Sequence, residues 1–258
     1  MKKISIITAT YNAAEYLPHL IESIIHQKNQ EIEFIIIDGN SKDNTVPVIQ
    51  KYEHCIDYWI SEPDNGIYDA WNKGIKIAKG NWIMFLGADD KLKPHAIEKY
   101  KRIIDNTPNH EFHLISSKLE IIDKSGEFIR VKGWPWKWPN FLFEMMIAHP
   151  GALHSRKLFE EYNLFDTNYK ITGDYELLLR AGVGLKTKFL NEITVEMREG
   201  GASDSINAIK EHKKAAILTG GVNKYYANVN YIYVFLKFNI KNFFRKRGIN
   251  LYLKNNKS

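Results

Sequence analysis

The chain has one cysteine, Cys55, among its 258 residues. No internal disulfide framework is therefore possible, and the composition suits a reducing compartment. No stretch reaches the roughly 18 consecutive apolar residues that suggest a membrane span. The chain opens directly on the strand-like KISIITAT, without the charged, apolar and small-residue succession of a secretory leader, so none is expected. The first apolar run is not followed by G-x-G-x-x-G, and G-x-x-x-x-G-K-[ST] does not occur, which argues against a dinucleotide-dependent enzyme. Acids nearly vanish from the C-terminal end. Residues 210–258 hold eleven Lys or Arg against the single acid Glu211, a net +10, so the overall +6 leaves −4 for residues 1–209. A basic tail on a mildly acidic body points to an anionic surface as partner, either nucleic acid or membrane.

What remains is ordinary for a globular protein: 44% hydrophobic and 26% charged residues, in a length that suits one large domain with a full core. Ile4 to Thr8, Ile32 to Ile37, Tyr58 to Ile60 and Trp82 to Leu86 are short apolar runs rich in β-branched residues, predicted as buried parallel strands. Helices are predicted after Asn12, with Pro18 in the first turn, from about Thr45, and from Ile67 to Ala78 before Gly80. Strands alternating with helices imply right-handed βαβ units. The second half changes character. Residues 112–132 read as a hairpin turning at DKSGE, GDYELLLRAG as a short helix and KTKFLNEITVEMRE as two short strands.

Open α/β sheets bind ligands outside the carboxyl ends of their strands. Asp38, Glu62 and the adjacent Asp89 and Asp90 all fall at such ends. Paired carboxylates there suit a hard divalent cation, Mn2+ or Mg2+, which is commonly held by one or two carboxylates plus substrate phosphates. Asp38 can accept from the N3–H of a uracil. Each acid also has a local reading, Asp38 as a turn residue and Asp90 as a helix cap.

Six segments carry a wider pattern: SIITATYN at 5–12, DGNSKDNT at 38–45, SEPDNGIYDAWNKG at 61–74, FLGADD at 85–90, HPGALHSRKLF at 149–159 and GDYELLLR at 173–180. In this order and spacing the chain resembles the family 2 inverting glycosyltransferases, of the kind that builds bacterial surface polysaccharides. The resemblance covers about the first 205 residues. It implies an α/β fold with a mostly parallel central sheet and flanking helices, the A-type glycosyltransferase fold. It implies a nucleotide-sugar donor, UDP-linked, and a glycan acceptor carried on a lipid. By the same resemblance Asp90 holds the metal and Asp89 contacts the ribose, while Ala9, Thr10 and Tyr11 form the wall of the base pocket opposite Asp38. Relatives often carry proline at the position of Ala9. Asp64, Asn72, Lys73 and Ser203 are further candidates for donor contact, and His149 for the metal shell. Asp174 is the candidate base that deprotonates the acceptor hydroxyl. Gly173 stands where relatives usually carry another acid.

The expected organisation is a nucleotide-sugar-binding half at 1–110, an acceptor-binding and catalytic half of the same domain at 111–206, and a basic, aromatic helical tail at 207–258. In the tail Val229, Ile232, Leu236, Ile240 and Phe243 recur at helical spacing. With Lys237, Lys241, Arg245, Lys246 and Arg247 they are expected to hold the protein peripherally on the anionic inner face of the cell membrane. Nucleic-acid binding through the same tail is the alternative, disfavoured because the positive charge is confined to the tail while the crevice is acidic.

Overall fold

A computed structural model describes residues 3–107, 111–245 and 247. The first half alternates strands and helices as expected: β1 (Ile4–Thr10), α1 (Leu17–Ile25), β2 (Ile32–Asp38), α2 (Thr45–Lys51), β3 (Tyr58–Ser61), α3 (Ile67–Ile77) and β4 (Trp82–Gly87). Pro18 sits at the start of α1, where its missing N–H costs nothing. Next come β5 (Lys91–Leu92), α4 (Ala96–Asp105), β6 (Leu114–Ile122), β7 (Phe128–Lys132), α5 (Trp138–Phe141), β8 (Leu153–Ser155), α6 (Arg156–Tyr162), α7 (Gly173–Ala181), β9 (Thr187–Arg198), α8 (Ile206–Leu218) and α9 (Lys224–Arg245).

All these strands join one sheet in the order β3-β2-β1-β4-β8-β6-β9-β5, with β7 beside β6. Strands β1 to β4, β6 and β9 run one way; β5, β7 and β8 run against them. Burial on both faces explains the continuous apolar runs. Ile4, Ile6, Phe34, Ile36, Met84 and Leu86 pack on one side with α1 and α4. Ile7, Ile35, Ile37, Ile83 and Phe85 pack on the other with α3, α6 and α7.

Two expectations change. KTKFLNEITVEMRE is one strand, β9, rather than two. Its pairing with β6 steps from Ser117↔Leu190 to Lys118↔Ile193, so Asn191 and Glu192 are absorbed as a bulge. The tail also divides differently from a boundary at 207. Helix α8 belongs to the body, with Ala215 and Ala216 in the core.

Helix α9 has two opposite apolar stripes. Val229, Ile232, Leu236 and Phe243 point outward and Ile240 borders the cavity, each just over half exposed. Ala227, Tyr231, Val234 and Phe238 lie about 180° away at 100° per residue and face α8 across a cavity. The basic stripe is mostly not free. Lys241 pairs with Glu199 at 2.8 Å and Asp204 at 3.0 Å, and Arg245 with the same two acids at 3.1 and 3.2 Å. Lys237 lies over the Tyr233 ring and Arg247 over Phe243. The expectation that Lys241 and Arg245 meet lipid heads is thus corrected, because acids of the body neutralise them. Lys246 and residues 248–258 lie outside the described residues.

Candidate active site

Register sets the first part of the site. Thr10 pairs with Asp38, and Asp38 with Ser61, so three adjacent strands deliver these residues abreast at their carboxyl ends. Asp38 is fully buried. Its carboxylate accepts from Thr10 Oγ1 at 2.9 Å, Ser41 N at 2.9 Å, Ser41 Oγ at 2.5 Å and Ser61 Oγ at 2.6 Å. Four donors occupy both oxygens, so a base N–H would reach Asp38 by displacing one hydroxyl.

Beside this row, Asp64 packs on Gly39. A Cβ at residue 39 would lie 2.6 Å from Asp64 Oδ2 and 3.4 Å from the Tyr11 ring. Only glycine permits that approach. Asp64 Oδ1 accepts from Gly66 N at 2.8 Å, fixing the turn into α3. Tyr11 is 64% exposed, leaving a ring face open above the turn. Ala9 is half-buried one step below, opposite Gly87.

The acid pair follows β4. Asp90 is buried and accepts from Gly87 N at 2.7 Å; Asp89 is exposed. Burial, then the charge of Asp89, push the Asp90 carboxyl well above the usual carboxylate range. Arg198, at the end of β9, lies within electrostatic reach of Asp89. It donates to the carbonyls of Asp123 and Lys124, and its guanidinium sits 5.2 Å from the Tyr16 ring centroid. Sequence reasoning overlooked Arg198, although it opens the glycine-bearing REGGAS segment.

No group of three or more His, Cys, Asp or Glu suited to a metal occurs among the described residues. The pair nevertheless fits Mg2+ or Mn2+, which take oxygen ligands and complete their shell from substrate phosphates and water. A buried carboxylate with an unfavourably raised pKa beside a second acid is relieved by a cation.

The second part of the site is built on α7. The Tyr68 hydroxyl is shared between the Ile171 carbonyl at 2.7 Å and Asp174 Oδ1 at 3.0 Å. Burial raises the Asp174 carboxyl above its ordinary value, partly offset by the Tyr175 N–H, Tyr68 and the Lys132 charge. His212 of α8 is within electrostatic reach of both Asp174 and Lys132; burial lowers its pKa to about 4, so it is neutral. Its ring stacks on Tyr175, with centroids 3.9 Å apart. Glu211, the single acid of the tail, accepts from the backbone N–H of Lys170, Ile171 and Thr172 at 2.8–3.1 Å. That anchors the segment presenting Asp174. Tyr68, Lys132, Glu211 and His212 were not among the sequence candidates.

Gly173 has a structural reason. A Cβ there would lie 2.9 Å from the Tyr68 ring, so the tyrosine fills the space that an acid would need. We expect Gly173→Asp to cost about 1–3 kcal/mol through overpacking, or roughly 2–4 °C of Tm per kcal/mol at this chain length. A melting curve equal to wild type would remove this account.

The loop before α3 joins the two parts. Its Asp64 touches Gly39, its Asn65 carbonyl accepts from Lys170 Nζ at 2.8 Å, and Tyr68 just beyond reaches Asp174.

Other candidates take structural places. The Asn72 amide bonds both ways to the Phe165 backbone, at 2.9 and 3.0 Å, and so fixes α3 to that segment. Lys73 pairs with Glu62 at 2.8 Å and donates to the Pro63 carbonyl. His149 is buried, stacked on Trp71 and Phe85, and its pKa is lowered to about 3 by burial. It is a neutral member of the aromatic core, with His154 beside it. Ser203 is exposed and lines the cavity between α8 and α9.

The domain model described as "Glycosyl transferase family 2" matches residues 5–147. The chain belongs to that family. A PGL/p-HBAD biosynthesis glycosyltransferase of Mycobacterium tuberculosis is 29% identical over 213 residues, covering 78% of this chain and 79% of its own. An uncharacterized glycosyltransferase of Haemophilus influenzae is 32% identical over 180 residues, 69% of this chain and 61% of its own. Among solved structures, S. aureus TarS superposes with a TM-score of 0.64 at 17% identity, over 89% of this chain and 69% of that one. The same protein has been solved with UDP-GlcNAc. A Pyrobaculum calidifontis mannosyltransferase with GDP-Man and Mn2+ matches with a TM-score of 0.59 at 15% identity, over 83% of this chain and 64% of that one. This glycosyltransferase thus shares their fold, an α/β sheet with flanking helices.

Proposed function

We propose that this glycosyltransferase transfers a sugar, with inversion, from a UDP-linked donor to a lipid-carried glycan acceptor during assembly of a bacterial surface polysaccharide. The observation that carries the reading is the partition of acids. One strand ends in a pair, Asp89 exposed and Asp90 buried, and a separate desolvated carboxylate stands on α7 with a tyrosine and a lysine about it. Inversion needs one base on the acceptor side, and Asp174 is the carboxylate available to take that proton. Tyr68 holds it in place and Lys132 limits how far burial raises its pKa. Thr10, Asp38 and the exposed Tyr11 ring suit a nucleobase at the strand ends. A divalent cation held by Asp90 and Asp89 would supply charge neutralisation to the diphosphate. Complexes of TarS with UDP-GlcNAc and of the mannosyltransferase with GDP-Man and Mn2+ lend this donor class support.

Calorimetric titration of wild type with UDP and with GDP, each with Mn2+, tests the donor. We expect UDP to bind more tightly and excess chelator to abolish the binding. A GDP preference overturns the uridine assignment; no binding of either overturns the donor class.

The outward stripe of α9 suits peripheral attachment to an anionic bilayer, which would present a lipid-carried acceptor at high local concentration. Leu236→Glu with Ile232→Glu should abolish sedimentation with phosphatidylglycerol vesicles. Wild type remaining in the supernatant at low salt would end the membrane reading.

A further inference from the structure

Between α8, α9 and the segment 140–145 lies a cavity of about 760 Å³. Ligand pockets fall in this size range and are mostly apolar with a few placed polar groups. One face of α8 contributes Ala208, Ile209, His212 and Ala216, and the inward stripe of α9 contributes Tyr231, Val234 and Phe238. Leu142, Phe143 and Met145 form the third wall. The cavity is therefore apolar over most of its surface, and its polarity is uneven. Charged groups also line it, Arg130, Glu144, Asp204, Lys213, Lys237 and Lys241, of which Lys241 and Asp204 pair with each other. The polar group on the side of the base is His212, neutral, stacked on the neighbour of Asp174, and without a hydrogen bond to either imidazole nitrogen among the described residues. A cavity apolar over most of its surface, with an uncommitted neutral donor–acceptor on the side of the base, suits a ligand that is apolar at one end and hydroxylated at the other.

We propose that this cavity takes the alkyl aglycone of the acceptor, with His212 contacting the polar group where the aglycone meets its first sugar. The inference rests on the glycosyltransferase reading and deepens it. It limits the acceptor class, because the hydroxyl presented to Asp174 and the apolar chain then lie on either side of His212. The substrate is then an early glycolipid, carrying few sugars, rather than the distal end of a long glycan. The outward residues Val229, Ile232, Leu236 and Phe243 play a separate part, since they lie outside the cavity lining.

The probes are n-alkyl β-glucosides from methyl to decyl, used below their micellar concentrations with the full chain. Affinity should rise about three- to fourfold per methylene until the chamber is filled, the factor expected for a fully buried CH2. The labelled methyl resonance of Met145 should shift on binding. Val234→Trp, which narrows the chamber between α8 and α9, should reduce the gain per methylene, and Leu236→Glu on the outer stripe should leave it intact. UDP with Mn2+ is titrated into each variant in parallel. Chain-length dependence lost in Leu236→Glu but undiminished in Val234→Trp overturns the proposal, as does an unmoved Met145 resonance in wild type. If Val234→Trp fails to fold, the Met145 signal of the wild-type protein decides alone. Alkyl glucosides seated at Met145 in a protein that ignores UDP would sink the donor assignment and leave the cavity assignment standing.

Discussion

Asp174→Asn should lower turnover by about 10²–10⁴-fold, the usual contribution of a general base, while UDP binding with Mn2+ stays within about twofold of wild type. The amide keeps the shape of the side chain and its contact with Tyr68, so the fold has no reason to change. The pH profile makes the test sharper. Tyr68 from α3, Lys132 from β7, His154 from β8 and His212 from α8 all act on or beside this carboxylate. Burial raises its pKa, and the base works deprotonated, so turnover should fall on acidification at a pH above the ordinary carboxylate range. Lys132→Met removes a charge that lowers the Asp174 pKa, and should move that acid limb to higher pH. An Asp174→Asn enzyme with normal turnover would falsify the base assignment. An acid limb that Lys132→Met leaves in place would remove the electrostatic account.

Asp90→Asn is expected to divide activity from stability. Transfer should drop by at least ~10²-fold, the cost typical of deleting one preorganised group that stabilises developing charge. The metal-free variant, measured in chelator, should melt higher than wild type. Its new amide oxygen still accepts from the Gly87 N–H, while a buried carboxylate facing Asp89 is gone. Gains of this kind are common where a function-bearing group is held at a cost to the fold. Calorimetry of both proteins, beside a transfer assay with Mn2+, reads the two effects together. Undiminished transfer, or a lower melting point in chelator, would each contradict the place given to Asp90.

The first half of the fold was legible because its strands are buried on both faces. Runs such as FIIID and WIMFLG have no other economical use, and the helices between them carry single apolar faces. β9 was misread because Asn191–Glu192 looks like a turn, and only the pairing with β6 shows that the two residues bulge out of one strand. The strand-end acids were legible from position alone. Tyr68, Lys132, Glu211 and His212 were not, since they reach Asp174 or its segment from α3, β7 and α8 and nothing in local sequence signals that meeting. The tail shows the same limit. The exposed stripe of α9 was visible in its periodicity, but the opposite stripe is almost as apolar. Glu199 and Asp204, some forty residues earlier, decide which side turns inward.

The register of β1, β2 and β3 has a consequence for how the site can be lost. Side chains of β2 alternate between two cores, and the same alternation aims Asp38 at Thr10 and Ser61. A single inserted residue within β2 would send Phe34 and Ile36 to the side of Ile35 and Ile37, and displace Asp38 in the same stroke. Binding geometry and folding are therefore written on one ruler. Unless a bulge absorbs the extra residue, as in β9, a frame error along that strand disturbs core and site together, so changes in donor preference are expected by substitution and not by slippage.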